Sequence, residues 1–203
     1  MRAMILKDLL CMKKQAKSVL LVLLVWLVIS LTTASGAFFC GLSIIYVIIL
    51  PMASLSYDER SHWDSRALTM PVTRAQLVLG RYIVALLMGL AMLAISAVVT
   101  LLIDGAEGLP LCLVFFLAGV FLLSLCMPLM LKLGVEKARI LVALCYLVPF
   151  GLMLLAEQLG VDIDGLLSRL DSAYAAAAGA VLVFAALCVS VLISMGIYRK
   201  KEF

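Results

Sequence analysis

The residues able to do chemistry crowd into one stretch, Tyr57–Tyr82. It carries seven charged side chains, the only histidine (His62) and one of the two tryptophans (Trp63). Asp58, Glu59, Arg60, Trp63, Asp64 and Arg66 stand almost side by side. An aromatic residue ringed by both signs of charge suits recognition of a partner, because buried Trp and Arg side chains dominate many protein interfaces. Bond-making chemistry finds little to work with. One histidine and six cysteines without C-x-x-C spacing give no metal site. Cys112, Cys126, Cys145 and Cys188 fall within apolar runs, where cysteine reads as a small buried hydrophobe. There is no paired aspartate in an apolar run and no H-E-x-x-H for intramembrane proteolysis, and His62 is too far from the apolar runs for a Ser–His dyad. The phosphate-cradling G-x-x-x-x-G-K-[ST] loop is also missing. The chain is therefore expected to be no enzyme and to hold no cofactor of its own, and energy from ATP would have to arrive through another polypeptide.

The elements that must position this stretch are apolar. Of 203 residues, 66% are hydrophobic and 14% charged, against about 45–50% and 25% in soluble domains. The sequence describes an integral membrane protein with a single domain, 1–203. A net charge of +4 could attract nucleic acid, but the cations lie scattered at the ends of apolar runs. Lipid headgroups and membrane orientation account for them, and no nucleic-acid partner is expected.

Residues 1–17 alternate Ile5, Leu6, Leu9, Leu10 and Met12 with Lys7, Asp8, Lys13, Lys14 and Lys17. This pattern favours an amphipathic helix in the headgroup layer over a short solvated tail. The following apolar run and Thr33-Ala-Ser-Gly-Ala37 resemble a secretory signal peptide, but the segment reads as a first span. Residues 18–56 carry no charge and exceed one span of about 20 residues. Ala34-Ser-Gly36 divides them into spans at 18–34 and 37–56, joined by a tight hairpin, with Pro51 expected to kink the second. Further spans are expected at 83–103, at 109–131 (opened by Pro110 and carrying Pro128), at 140–156 and at 173–197. Asp104–Gly108 reads as a short turn and Lys132–Arg139 as a short charged loop. Residues 157–172 place Leu159, Val161, Ile163, Leu166, Leu167 and Leu170 beside polar residues, which predicts short helices resting on the membrane surface. Ala175, Gly179 and Ala180 allow close helix approach, within the chain rather than in a dimer.

With the N-terminus in the cytosol, fifteen of the sixteen Lys and Arg residues face the cytosol and only Arg169 lies outside. The positive-inside rule selects this arrangement. The expectation is an all-α polytopic membrane protein with six transmembrane helices and both termini cytosolic. It would have an N-terminal interface helix, a cytosolic segment at 57–82 between spans two and three, and short extracellular helices between spans five and six.

Within 57–82, residues Asp58–Leu68 fit a helix with Trp63, Ala67 and Met70 on one face. Pro71 would end it, and Thr73 could cap a second helix, Arg74–Arg81, that runs into the third span. Such an element could be a lever that tilts two spans when a partner docks, or a solvated loop that only sets topology. The residues alone leave both readings open.

A resemblance weighs on that choice. The pattern Ser56-Tyr-Asp-Glu-Arg-Ser-His-Trp-Asp, followed by Ala67-Leu-Thr-Met-Pro-Val-Thr-Arg and by Leu77-Val with Arg81-Tyr82, resembles the cytosolic loop of short bacterial ABC-2 type transporter permeases. The opening Ile5-Leu-Lys-Asp-Leu-Leu10 is loosely similar to theirs. By layout the resemblance covers most of the chain; by motif it covers 5–10 and 56–82. It is nearest to a subgroup that exports amphipathic peptide toxins of the phenol-soluble modulin kind. Such permeases often carry Lys where Arg81 stands here. The resemblance implies that two permease chains pair, as a homodimer or with a close homologue. Each would recruit a cytosolic ABC ATPase that holds the ATP and magnesium. It implies that Asp58, Glu59, Arg60, Trp63, Arg66, Ala67, Pro71 and Arg74 belong to the coupling element that seats in the ATPase. Glu136 and Lys137 would make a lesser cytosolic contact, and residues 157–172 would cap the pathway outside.

The first expectation is therefore the permease subunit of an ATP-driven exporter in the cell membrane, moving an amphipathic or hydrophobic substrate, such as a peptide, outward by alternating access. The alternative is a non-transporting anchor or regulator that tethers a cytosolic protein through 57–81. A third, an ion-coupled carrier or channel, is disfavoured because no ionisable group lies in the middle of any expected span, where each costs about 2.5–3.5 kcal/mol.

Overall fold

The computed structural model describes residues 7, 16–61, 63–67, 73–158 and 173–200. It contains α1 (Ala16–Thr33), α2 (Ala37–Arg60), α3 (Trp63–Ala67), α4 (Arg74–Ile103), a 3₁₀ turn (Gly105–Gly108), α5 (Leu109–Leu133), α6 (Val135–Gln158) and α7 (Ala173–Lys200). No strand occurs among the described residues. Helices satisfy their own backbone groups, which is what a lipid environment demands. Among the described residues, four segments are long and apolar enough to cross a bilayer: Phe39–Arg60, Arg74–Ile103, Gly105–Leu133 and Ala178–Arg199. Lys17–Thr33 is a shorter apolar helix. The chain is thus a multi-pass helical membrane protein.

The helices run alternately between two ends, named here after Asp104 and Asp58. At the Asp104 end, α1 turns into α2 through Ala34, whose φ of 48° is left-handed. The turn is closed by the Ser30 hydroxyl and the Ser35 amide, which bond the Ser35 and Ser30 carbonyls at 2.8 and 3.2 Å. The Gly36 amide then donates to Asp104 Oδ2 at 2.8 Å. A Cβ on Gly36 would stand 2.7 Å from that oxygen and 2.8 Å from Thr100 Cγ2, so the approach needs glycine. Cys40 of α2 and Cys112 of α5 form a disulfide with their Cα atoms 5.0 Å apart, and Thr100 Oγ1 lies 3.2 Å from each sulfur. Cys112 is thus buried as expected, but as half of a crosslink and not as a simple hydrophobe. The two turns at this end bring the starts of α2 and α5 side by side across 72 residues.

Below this cap, α2 packs between α4 and α5. A Cβ at Gly89 of α4 would stand 3.0 Å from Val47 Cγ2, and one at Gly119 of α5 would stand 3.1 Å from Ile44 Cα. Small residues let helices approach where no hydrophobic force drives them together. Val47, Ile48, Leu123, Met127 and Met130 fill the core, while Phe39, Leu42, Tyr46 and Leu50 pack against α1 through Trp26. α7 is fastened by hydroxyls: Tyr82 Oη lies 2.6 Å from Ser190 Oγ and 2.8 Å from Ser194 Oγ, and Ser190 donates to the Ser124 carbonyl. Buried hydroxyls need such partners. Gly179, in contrast, is exposed, and a Cβ there would meet open space. The close approach within the chain expected at Ala175–Gly179–Ala180 does not form at Gly179, because α7 turns its serines inward instead.

Helices also outrun the expected spans. α2 continues past residue 56 to Arg60, and α6 begins at Val135 rather than at 140. Lys132–Arg139 is no loop: Gly134, with φ 83°, is the only break between α5 and α6. Polarity marks where lipid ends, but the backbone ladder continues until a cap stops it. Most of the expected interface helix 1–17, the surface helices at 159–172, and Pro71 lie outside the described residues.

Candidate functional site

The polar stretch is assembled at the Asp58 end. The last turn of α2 carries Asp58, Glu59 and Arg60. It stops at Ser61, whose amide donates to the Tyr57 carbonyl at 3.0 Å and whose hydroxyl reaches the Asp58 carbonyl at 3.3 Å. The expected single helix Asp58–Leu68 is therefore split into the end of α2 and the short α3. Ala67 is buried and Trp63 half-buried against the core, one helical turn apart on one face.

Asp58 points inward and is only 6% exposed. Lys7 Nζ donates to its Oδ1 at 2.5 Å, and Arg81 Nη2 stands 3.6 Å from its Oδ2. A buried carboxylate requires such partners. Both cations also meet rings: Lys7 Nζ lies 4.6 Å from the centre of Trp63, and the Arg81 guanidinium 5.4 Å from that of Tyr198. These are cation–π distances. Pro51, Ser54, Leu55, Val84 and Met127 line a crevice beside the Asp58–Arg81 pair.

Two helix ends are closed across the same region. Both Glu59 carboxylate oxygens accept the Val135 amide at 3.0 Å, so α2 supplies the anion that α6 needs at its N-terminus. Arg74 Nη1 donates to the Tyr198 and Arg199 carbonyls at 3.3 and 2.7 Å, closing the end of α7. Thr73 caps α4 as expected, and Gln76 completes a capping box with it.

Of the expected coupling residues, Asp58, Glu59, Trp63, Ala67 and Arg74 are drawn into this knot, whereas Arg60, Arg66, Glu136 and Lys137 are exposed. Sequence reasoning passed over Lys7 and Tyr198 as partners, although Lys7 sits in the short opening motif. It also named no partner for Arg81, taking it as the end of the expected second helix and as a position where such permeases often carry Lys. Among the described residues, the arrangement offers no nucleophile paired with an acid or base. What it can do is transmit displacement, since one stretch holds the ends of α2, α4, α6 and α7.

A family model described as ABC-2 family transporter protein matches residues 3–199. No curated protein and no solved structure matches the chain.

Proposed function

The chain belongs to the ABC-2 family of transporter proteins, and from that premise we propose that it drives substrate outward when a separate cytosolic ATPase pushes on its Asp58 end. Membership makes the chain a membrane-embedded permease subunit of an ABC transporter, with a transport role and no catalysis of its own. In the proposal, α1 and α6 join the four long apolar segments to give six spans, and the Asp58 end and both termini face the cytosol. The positive-inside count supports this orientation.

One observation carries the mechanism: the stretch 57–81 is built into the ends of four long helices through Glu59, Asp58, Arg81 and Arg74. A loop that only set topology would need no such attachments. The exposed Arg60 and Arg66 would meet the ATPase, with Glu136 and Lys137 as a second contact. ATP and magnesium would be bound by that partner. Hydrolysis would tilt the helices by alternating access, together with those of a second permease chain. The charge-free span interiors suit an amphipathic or hydrophobic cargo, such as a peptide, better than a small ion.

The test is co-purification of the ATPase with the permease, combined with ATP-driven uptake of a fluorescent amphipathic peptide into inside-out vesicles. Both should occur with the wild-type chain, and Trp63→Ala should impair recruitment or uncouple hydrolysis from uptake. Recruitment without any peptide movement would instead favour an anchor or regulator.

A further inference from the structure

We infer that Asp58 is a positioning residue through which movement of α3 is passed to α4 and α7. This rests on the permease reading above. The observation is a line of side chains, each touching the next: Trp63 of α3, Lys7 of the N-terminal segment, Asp58 of α2, Arg81 of α4 and Tyr198 of α7. The line alternates ring, cation, anion, cation, ring. Asp58 is its centre and its most deeply buried charge, 8% exposed at the side chain against 22% for Lys7 and 10% for Arg81.

That order has a mechanical consequence. An apolar contact between helices can slide with little loss. A buried carboxylate that loses one cation is left uncompensated in a poorly solvating place, which is far less favourable than either intact arrangement. Lys7 and Arg81 must therefore follow Asp58, and the rings of Trp63 and Tyr198 follow their cations. Glu59, the next residue, is turned away to hold α6 and cannot substitute for Asp58. Lys7 thus becomes a bridge in the relay, because its ammonium meets both the Trp63 ring of α3 and the Asp58 carboxylate. A demand for folding alone would be met as well by apolar side chains of similar volume. Charges that move together or not at all suit a device that must pass a stroke without slipping.

The experiment uses the complete transporter in inside-out vesicles with the fluorescent amphipathic peptide as probe. ATPase recruitment, ATP turnover and peptide moved per ATP are read separately. Asp58→Asn keeps the shape and removes the charge. It should leave recruitment within about twofold and lower peptide moved per ATP by about tenfold. Lys7→Met, made outside the buried helix core, tests the relay where Asp58→Asn folds poorly; it should lower the same ratio. The double variant should be no worse than Asp58→Asn, because both break one line, and Asp58→Glu should recover part of the ratio. Unchanged peptide per ATP in Asp58→Asn or Lys7→Met, or losses that simply multiply, would overturn the relay and leave the permease reading intact. A wild-type complex that hydrolyses ATP without moving peptide would overturn both.

Discussion

The two ends of the bundle are held by different physics. At the Asp104 end, α2, α4 and α5 meet through a disulfide, a glycine with no room for a side chain, and one carboxylate that accepts a backbone amide. At the Asp58 end, the contacts are ion pairs, cation–π contacts and helix caps, made by side chains from five segments. The first set is covalent and close-packed, and it has one arrangement. The second is directional, and its charges stay paired as the helix ends shift together. A transporter worked from one side needs this asymmetry: one end that keeps its helices in register, and one that yields as a unit. On the proposed mechanism, the Asp58 end is the moving part.

The largest expected effect falls on the yielding end. Asp58→Ala leaves Lys7 and Arg81 without their shared anion. Removing one partner of a buried ion pair costs about 3–5 kcal/mol. The lower figure is expected here, because the Lys7 side chain keeps 22% of its surface exposed. Thermal unfolding in detergent should show a clear drop, and Asp58→Leu should recover part of it by filling the site. An Asp58→Ala protein as stable as wild type would mean that the charges do not hold this end together.

The Asp104 end should respond next. Replacing Cys40 and Cys112 by alanine opens a crosslink spanning 72 residues, and losing a native disulfide typically costs about 2–4 kcal/mol. Alkylation under denaturing, non-reducing conditions should spare both cysteines and modify Cys126, Cys145 and Cys188, which are free. Reductant should lower the stability of wild type but not of the double alanine variant. The comparison breaks if transport is lost along with stability, since this end would then belong to the moving part.

What could be read from residues alone divides along the same line. The Ala34–Gly36 turn, Pro110 at the start of α5 and Thr73 at the start of α4 are local signals, and each is found where expected. The contacts that define the two ends are not local. Lys7 pairs with Asp58 across 51 residues, Glu59 with Val135 across 76 and Arg74 with Tyr198 across 124. No periodicity reports such pairings, so Asp58 and Glu59 read as part of a partner-facing coupling element when they are turned inward. The split of the expected helix at Ser61 had a local cause that was legible, since serine hydroxyls compete for backbone carbonyls. The cysteines gave no spacing signal because their meeting depends on two separate turns.

A smaller effect sharpens the role of α4. Thr73→Ala removes the hydroxyl that accepts the Gln76 amide at 3.3 Å and should cost about 1 kcal/mol. Because Arg74, the next residue, closes α7, the loss should also loosen that contact. Hydrogen exchange should rise in the first turn of α4 and the last turn of α7, while the Asp104 end stays protected. A uniform rise across both ends would show that they do not unfold separately.

The smallest expected change in stability separates attachment from docking. Arg66 is exposed on α3, next in sequence to the buried Ala67. Its removal leaves the line from Trp63 to Tyr198 in place, so Arg66→Ala should alter unfolding by no more than about 0.5 kcal/mol. If this face meets the ATPase, the same substitution should weaken recruitment, and more so at low ionic strength, because exposed charges are screened over about 8 Å at physiological salt. Peptide moved per ATP, for complexes that do form, should stay near the wild-type value, since the relay behind the docking face is intact. Asp58→Asn should give the opposite pattern, with recruitment kept and the ratio lost. Measuring both variants across a salt series sets the two roles apart on one pair of readouts. Arg66→Ala that lowers the ratio without weakening recruitment would place Arg66 within the relay and move the docking surface elsewhere, to the exposed Glu136 and Lys137 at the start of α6.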